Sequence, residues 1–468
     1  MMRKIVVFAL VLACSEPAST PSTANGSSSA RAAPASSETH AMPSSTTPSS
    51  SAAPVAPTDP LADKGRRFVD LLREKKHADA ARWFDTTMAG ALPVEKLAGV
   101  WTGLETGAGA FQAVESARVE PVGAYRTAIV TCKFANARLD AKIAFDKDEK
   151  VAGLFFSPAP EPYADPPYVD RSKFDEREVT VGAGEWALPG TLTLPKGAGP
   201  HRAVVLVHGS GPNDRDETVG ANRPFKDLAG GLASKGVAVL RYEKRTKLHG
   251  AAMAKLPDLT VEQETIEDAR AAAGVDAKRI VIAGHSLGGQ LAPRIASGQD
   301  GIAAIAILAG STRPVADMMI EQVKYIASLD GRQAPEESAE LKALERAAAR
   351  VREIQSGAPA KDGEMVLGAG PPYWVDMAKY DALAVARDLP RPILVAQGGR
   401  DYQVTTRDFE AWKRALTGRK DVTFALYPEL NHLFGAGEGK SGPEEYQRRA
   451  PVDARLVDDL AKWVGDLP

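Results

Sequence analysis

Cysteine is nearly absent from this chain: among 468 residues there are two, Cys14 and Cys132. A disulfide framework is therefore not what holds the fold together. An excess of either charge is also missing, since 58 Lys and Arg stand against 60 Asp and Glu for a formal net charge of −2. Such a balance gives neither the basic footprint of a nucleic-acid binder nor a strongly anionic surface. The apolar run near the start, IVVFALVLA from Ile5 to Ala13, is too short to cross a bilayer. What is present in quantity is apolar residue, 44% of the chain, over a length that exceeds one usual core. Two folded units with tails are the expectation.

Met1-Met2-Arg3-Lys4 is a short cationic segment, and with the apolar run behind it the N-terminus reads as a secretory signal. Its end, Val11-Leu12-Ala13-Cys14, resembles the lipobox of bacterial lipoproteins. That resemblance implies cleavage before Cys14 and acylation of its thiol. It further implies an exported protein of the bacterial cell envelope that touches the membrane through its lipid anchor alone. Residues 15–60 are almost entirely Ser, Ala, Thr and Pro, which bury too little apolar area to offset backbone ordering, and they read as a tether. Cys132, in AIVTCKFA, reads as a small buried hydrophobe.

Residues 61–160 form the first legible unit. Phe68, Leu71, Leu72, Ala80, Ala81, Trp83 and Phe84 recur with helical spacing, and FQAVESARVEPV, YRTAIVTCKFA, ARLDAKIAFD and KVAGLFFSP follow as strands. Helices first and an antiparallel meander afterwards predict a small α+β domain. It resembles the cystatin-like or ketosteroid-isomerase-like accessory domain found ahead of some bacterial secreted hydrolases. It carries no convergent set of reactive residues, which favours a structural or substrate-presenting module.

A Pro-rich piece, Pro158 to Pro167, ends this unit, and residues 170–468 alternate strands with helices. AVVLVHG, VAVLRYE, RIVIAG, AIAILAG and PILVAQG are near-continuous apolar strands, which predicts a mostly parallel sheet buried on both faces. Between about 311 and 380 the rhythm stops. ADMMIEQVKYIASL and EESAELKALERAAARVREIQS show helical periodicity there, with Leu341, Leu344, Ala348, Val351 and Ile354 on one face of the second. This reads as a helical cap over a site, against the blander reading of an exposed hairpin. Met318, Met319, Tyr373 and Trp374 are candidates for an acyl pocket or for the cap's own core.

Gly284-His285-Ser286-Leu287-Gly288 lies where the strand Ile280–Ala283 gives way to a helix-forming run. A serine at such a corner needs neighbours without side chains two positions to either side, and its hydroxyl is presented beside a helix N-terminus: a nucleophile elbow. A serine nucleophile needs a base, and the base an orienting acid. Of the seven histidines, His40, His77, His201, His208, His249 and His285 precede Ser286 and only His432 follows it. The order serine, acid, histidine leaves His432, in YPELNHLF, as the base. Asp401, after the strand and paired glycines of PILVAQGGRD, is the favoured acid over Asp376, Asp381, Asp388 and Asp408, which read as helical or helix-flanking. The oxyanion donors are then the amides of Leu287 and, from HGSG after AVVLV, of Ser210, with Gly211 as its neighbouring alternative. His208 reads as a brace for that loop, and Asp214, Asp216 and Glu217 as partners for arginines such as Arg223 or Arg241. Their spacing fits no metal, and no cofactor is implied.

Taken in order, HGSGPNDRDE, PFKDLAGGLASKGVAVLRYEKRT, TVEQETIEDA, GHSLGGQLAPRIA, GGRDYQV and LYPELNHLF resemble a bacterial α/β-hydrolase family of secreted serine esterases, related to its dienelactone-hydrolase-like and prolyl-oligopeptidase-like branches. The resemblance runs from about Asp175 to the C-terminus and implies an α/β-hydrolase fold with Ser286 as nucleophile, Asp401 as acid and His432 as base. The expected function is hydrolysis of a small-molecule or polymer-borne carboxylic ester through an acyl-enzyme. A serine peptidase of the same fold, or a non-catalytic envelope binding protein, are the alternatives.

Overall fold

The computed structural model of the chain describes residues 59–122, 125–159, 162–274, 280–329 and 335–468. The signal segment, Cys14 and residues 15–58 of the expected tether lie outside the described residues. The described residues divide into two compact units, 59–159 and 162–468.

In the first unit a helix over Pro60–Arg73 starts on Asp59, whose side chain accepts from the Leu61 amide, and buries Phe68, Val69 and Leu72. Its apolar stripe lies on a four-stranded antiparallel sheet in the order β1 (Phe111–Val122), β2 (Tyr125–Phe134), β3 (Arg138–Phe145) and β4 (Val151–Pro158). Trp101, Phe111 and Phe134 meet with centroids 5.6 to 5.8 Å apart in this core. Cys132 is fully buried within it, and burial pushes its thiol up to about 12, so it behaves as a hydrophobe.

The second unit is built on an eight-stranded sheet. Its strands are β5 (Phe174–Val181), β6 (Leu188–Pro195), β7 (Ala203–Val207), β8 (Ala238–Tyr242), β9 (Ile280–His285), β10 (Ile302–Leu308), β11 (Ile393–Gly398) and β12 (Val422–Tyr427). The spatial order is β12-β11-β10-β9-β7-β8-β6-β5. Strands β7 to β12 run parallel to their neighbours, while β6 meets both β5 and β8 antiparallel. Strands β7, β9, β10 and β11 are apolar on both faces because helices cover both: Leu291 and Ile295 pack with Ile282 and Ile305 on one side, Leu228, Leu232 and Leu460 with Val204 and Val281 on the other.

This unit begins earlier than residue 170. Tyr163 Oη donates to Asp227 at 2.9 Å and Tyr168 Oη to the Val452 carbonyl at 2.7 Å, so the Pro-rich boundary segment is already part of its packing. Ahead of β9 the chain does not form one regular helix. Glu262–Ile266 forms a wide π-helical turn before the helix Glu267–Ala273, and this places Glu264 inside, 2.5 Å from the buried Lys244. A helix over Arg245–Met253, which the sequence pattern does not announce, follows β8.

Between β10 and β11 the helices Val315–Ser328 and Pro335–Gln355 pack together, burying Leu344, Ala348, Val351 and Ile354 from the second. Two short helices, Pro371–Ala378 and Ala382–Asp388, complete the insertion. Tyr373 and Trp374 belong to its core: the Trp374 indole donates to the carbonyls of Val366 and Ala369.

Asp227 joins the start of the unit to its end. Only 1% exposed, it accepts from Tyr163, from both terminal nitrogens of Arg449 and from the Val452 amide. Asp227→Ala strands the arginine and the amide, and unfolding experiments in urea are expected to show a loss of about 3 kcal/mol; a loss under about 1 kcal/mol would contradict this account of how the unit is closed.

Candidate active site

Ser286 sits between the end of β9 and the helix Leu287–Ala296, with φ 54° and ψ −113°. A left-handed backbone at a residue with a Cβ is costly and persists only where packing enforces it. The packing is explicit. A Cβ at Gly284 would collide with the Gly288 carbonyl, and one at Gly288 with the carbonyls of Val207 and His208. The two glycines thus let the elbow close on itself and on the end of β7. Ser286 Oγ makes no hydrogen bond among the described residues.

His432 follows β12 in a turn that Asn431 organises, its Oδ1 accepting from the amides of Leu433 and Gly435 at 3.1 Å. The imidazole is buried, and its Nδ1 lies 2.7 Å from Asp401 Oδ2. A carboxylate only accepts, so Nδ1 carries the hydrogen and Nε2 is left as the basic nitrogen. Asp401 is fixed in turn by the amides of Gln403 (2.8 Å) and Val404 (2.9 Å) and by Gln397 Nε2 (3.1 Å). The four rival acids are elsewhere: Asp376 pairs with Arg294, Asp381 caps a helix, Asp388 pairs with its neighbour Arg387 and Asp408 with Arg313.

Ser210 lines the same small cavity as Ser286 and Leu287, together with Met318 and Met319 of the insertion. Leu287 is the first residue of its helix, so its amide has no acceptor within that helix. The Gly209 amide, by contrast, is taken up by Glu217 Oε1 at 2.6 Å. Of the four aromatic and sulfur candidates for an acyl pocket, the methionines face the serine and Tyr373 and Trp374 do not.

The loop after β7 departs from the pairing read in the sequence. Asp216 does meet Arg241, but Asp214 accepts from the amides of Asp216 and Thr218, and Arg223 lies over the ring of Tyr163. Glu217 has no arginine: with φ 51° it turns inward, 3% exposed, and its Oε2 stands 2.9 Å from His285 Nδ1. Nothing in local spacing signals that pairing. Among the described residues no cluster of His, Cys, Asp and Glu could hold a metal ion.

Residues 204–438 match the family described as "Alpha/beta hydrolase family". The chain belongs to the alpha/beta hydrolase family. Residues 66–154 match a second family, described as a protein of unknown function (DUF3887). This α/β hydrolase is 40% identical over 405 residues to Esterase EstD of Thermotoga maritima, covering 85% of this chain and 93% of that protein. More distant likenesses among solved structures include an esterase of Pyrococcus furiosus, at 18% identity and TM-score 0.39 over 62% of this chain and 92% of that one. Another is an acylaminoacyl peptidase of Pyrococcus horikoshii, at 14% identity and TM-score 0.42 over 76% and 56%.

His208 lies under the site, between the rings of Phe225 and Tyr242, with Nε2 3.1 Å from the Asp214 carbonyl. Burial depresses its pKa to about 4. An unfolded histidine titrates near about 6.5, so as pH falls the unfolded chain binds this proton first and the folded state loses ground. Between those two values His208 is expected to remove about 3 kcal/mol of stability. His208→Gln should flatten the pH dependence of unfolding over that window relative to the parent, and identical pH dependences would contradict the assignment.

Proposed function

We propose that this α/β hydrolase cleaves carboxylic esters by acyl transfer to Ser286. That the chain is a carboxylic-ester hydrolase rests on its family and on its likeness to Esterase EstD over nearly all of that protein. The observation that carries the finer reading is the 2.7 Å contact of His432 Nδ1 with Asp401, beside a serine in a strained elbow. In this reading His432 Nε2 takes the Ser286 proton as Oγ attacks the ester carbonyl. The amides of Leu287 and Ser210 receive the developing oxyanion, and the imidazolium then protonates the departing alcohol. Water, activated by the same imidazole, attacks the acyl-serine, and the acid leaves. Asp401 holds the tautomer throughout and offsets the charge that appears on His432.

The cavity at Ser286 has a volume of about 50 Å³ and is bounded by Leu287, Val315, Met318 and Met319. At roughly 10–15 Å³ for each water-sized group, it receives about four heavy atoms. A short acyl group fits there.

On a series of p-nitrophenyl esters, acetate to butyrate should exceed octanoate by about tenfold or more in kcat/KM. Ser286→Ala should lower kcat on the order of 10⁴-fold with the fold intact. Activity of Ser286→Ala within tenfold of the parent would overturn the reading.

Export and anchoring through an acylated Cys14 are part of the same proposal. Cys14→Ala is then expected to move the protein from the membrane to the soluble fraction of expressing bacteria. A parent protein that is itself soluble and carries no acyl chain by mass spectrometry would contradict it.

A further inference from the structure

Two buried ion pairs lie beneath the site, and neither belongs to the set of groups that exchange protons or receive the oxyanion. Glu217 belongs to the loop after β7, and His285 is the residue immediately before Ser286. The two carboxylate oxygens of Glu217 go different ways: Oε1 accepts from the Gly209 amide at 2.6 Å and Oε2 stands 2.9 Å from His285 Nδ1. The other nitrogen of His285, Nε2, donates to the main-chain carbonyl of His432 at 2.9 Å. The His432 carbonyl only accepts, so Nε2 carries hydrogen; Nδ1 has no aligned hydrogen-bond partner among the described residues, and the carboxylate 2.9 Å away attracts the charge of a protonated ring. Burial opposes charge on both groups, but their mutual attraction outweighs it. His285 titrates above its ordinary value and Glu217 below.

Such a pair is poorly explained by stability, since desolvation offsets most of what two buried charges gain from each other. Its two ends are more telling. One is the amide of the His208–Gly209 peptide, one peptide ahead of the Ser210 amide, the other is the main chain of His432, and between them stands His285, the nucleophile's own neighbour. The following peptide, between Gly209 and Ser210, has its own hold: the Gly209 carbonyl accepts from Lys244 Nζ at 2.8 Å and from Asn213 Nδ2 at 3.1 Å. Lys244 is itself kept in place by Glu264 at 2.5 Å. In a planar trans peptide the N–H points opposite to the C=O. Holding the Gly209 carbonyl inward on Lys244 therefore aims the Ser210 N–H the other way.

We propose that Glu217 and His285 are positioning residues that tie the Ser210 loop to the His432 loop, so that oxyanion donor and base keep one fixed spacing from Ser286. The inference rests on the acyl-transfer reading of the site. It differs from a purely structural role in what it demands of the transition state: a misplacement of about 1 Å at such groups lowers turnover on the order of 10²-fold while ground-state binding is little changed.

The test compares the parent, Glu217→Ala and Ser286→Ala on p-nitrophenyl acetate, and measures inhibition by an alkyl trifluoromethyl ketone, whose serine adduct places an oxyanion at the donors. For Glu217→Ala we expect kcat to fall on the order of 10²-fold, KM to stay within about twofold, and affinity for the ketone to fall in proportion to kcat/KM. A merely structural role would reduce the folded fraction without changing ketone affinity in what remains folded. Values of kcat and ketone affinity within about threefold of the parent would overturn the proposal. Should Glu217→Ala not fold, nitrogen-15 spectra of the histidine-labelled parent decide: the His285 ring signal is expected to be that of an imidazolium and to shift when the ketone adduct forms. A neutral ring, or a signal indifferent to the adduct, would overturn it too. Retained activity in Ser286→Ala would instead strike at the acyl-transfer reading, and the pair's role would fall with it.

Discussion

One close approach of backbone to backbone underlies this site: the last residue of the elbow, Gly288, rests against the carbonyls of Val207 and His208 at the end of the neighbouring strand. Because no Cβ intervenes, the helix that begins at Leu287 starts directly beside the loop of Gly209 and Ser210. The two candidate oxyanion donors become neighbours as a result, although they come from different strands. Parallel pairing of β9 with both β7 and β10 brings these ends level, with Ile282 opposite Val205 and Ile305. A larger residue at position 284 or 288 would separate strand from helix and move the serine away from both donors. The left-handed backbone of Ser286 is the strain that this packing sustains.

Around that contact the molecule uses buried charge sparingly and in pairs. Asp401 faces His432, Glu217 faces His285, Glu264 faces Lys244 and Asp408 faces Arg313, with Glu264 and Asp408 reaching from helical turns to partners just past the ends of β8 and β10. Each carboxylate also takes up backbone amides or hydroxyls, which is what a buried acid requires if it is not to cost more than it returns. The helical insertion is fastened to the same region. Tyr325 stacks on Tyr402 at 5.2 Å, and Gln322 donates to the Gln403 carbonyl, so the helix bearing Met318 and Met319 is tied to the turn that holds Asp401. The walls of the cavity at Ser286 and the turn of Asp401 thus share one support.

Much of this was legible in the sequence because it is local. The apolar runs at β7, β9, β10 and β11 are buried on both faces and are near-continuous for that reason, and the turn residues after them mark where reactive groups can stand. Chain order and strand-then-glycine context single out His432 and Asp401, and the structure brings the two within 2.7 Å of each other. What escaped is what depends on partners remote in the chain. The Arg245–Met253 helix, RTKLHGAAM, has no apolar stripe, a glycine within it and a non-helical His249, and it buries Arg245, Thr246 and Met253 only because Asp268, Gly211 and the surrounding chain receive them. The wide turn at Glu262–Ile266 exists around a buried carboxylate whose lysine lies at the end of another strand. Glu217 read as one acid among three in a surface loop. Its inward turn follows from a positive φ and a histidine inside the elbow motif, and periodicity carries no trace of either.

The central claim is that the ester's acyl group passes through a covalent bond to Ser286. Acid-quenching the protein during turnover of p-nitrophenyl butyrate, followed by proteolysis and mass spectrometry, tests it most directly. The account predicts a butyryl increment on the peptide carrying Ser286 and on no other. Ester hydrolysis with no trapped acyl group under conditions where deacylation is slowed, or an increment on a different residue, would contradict it.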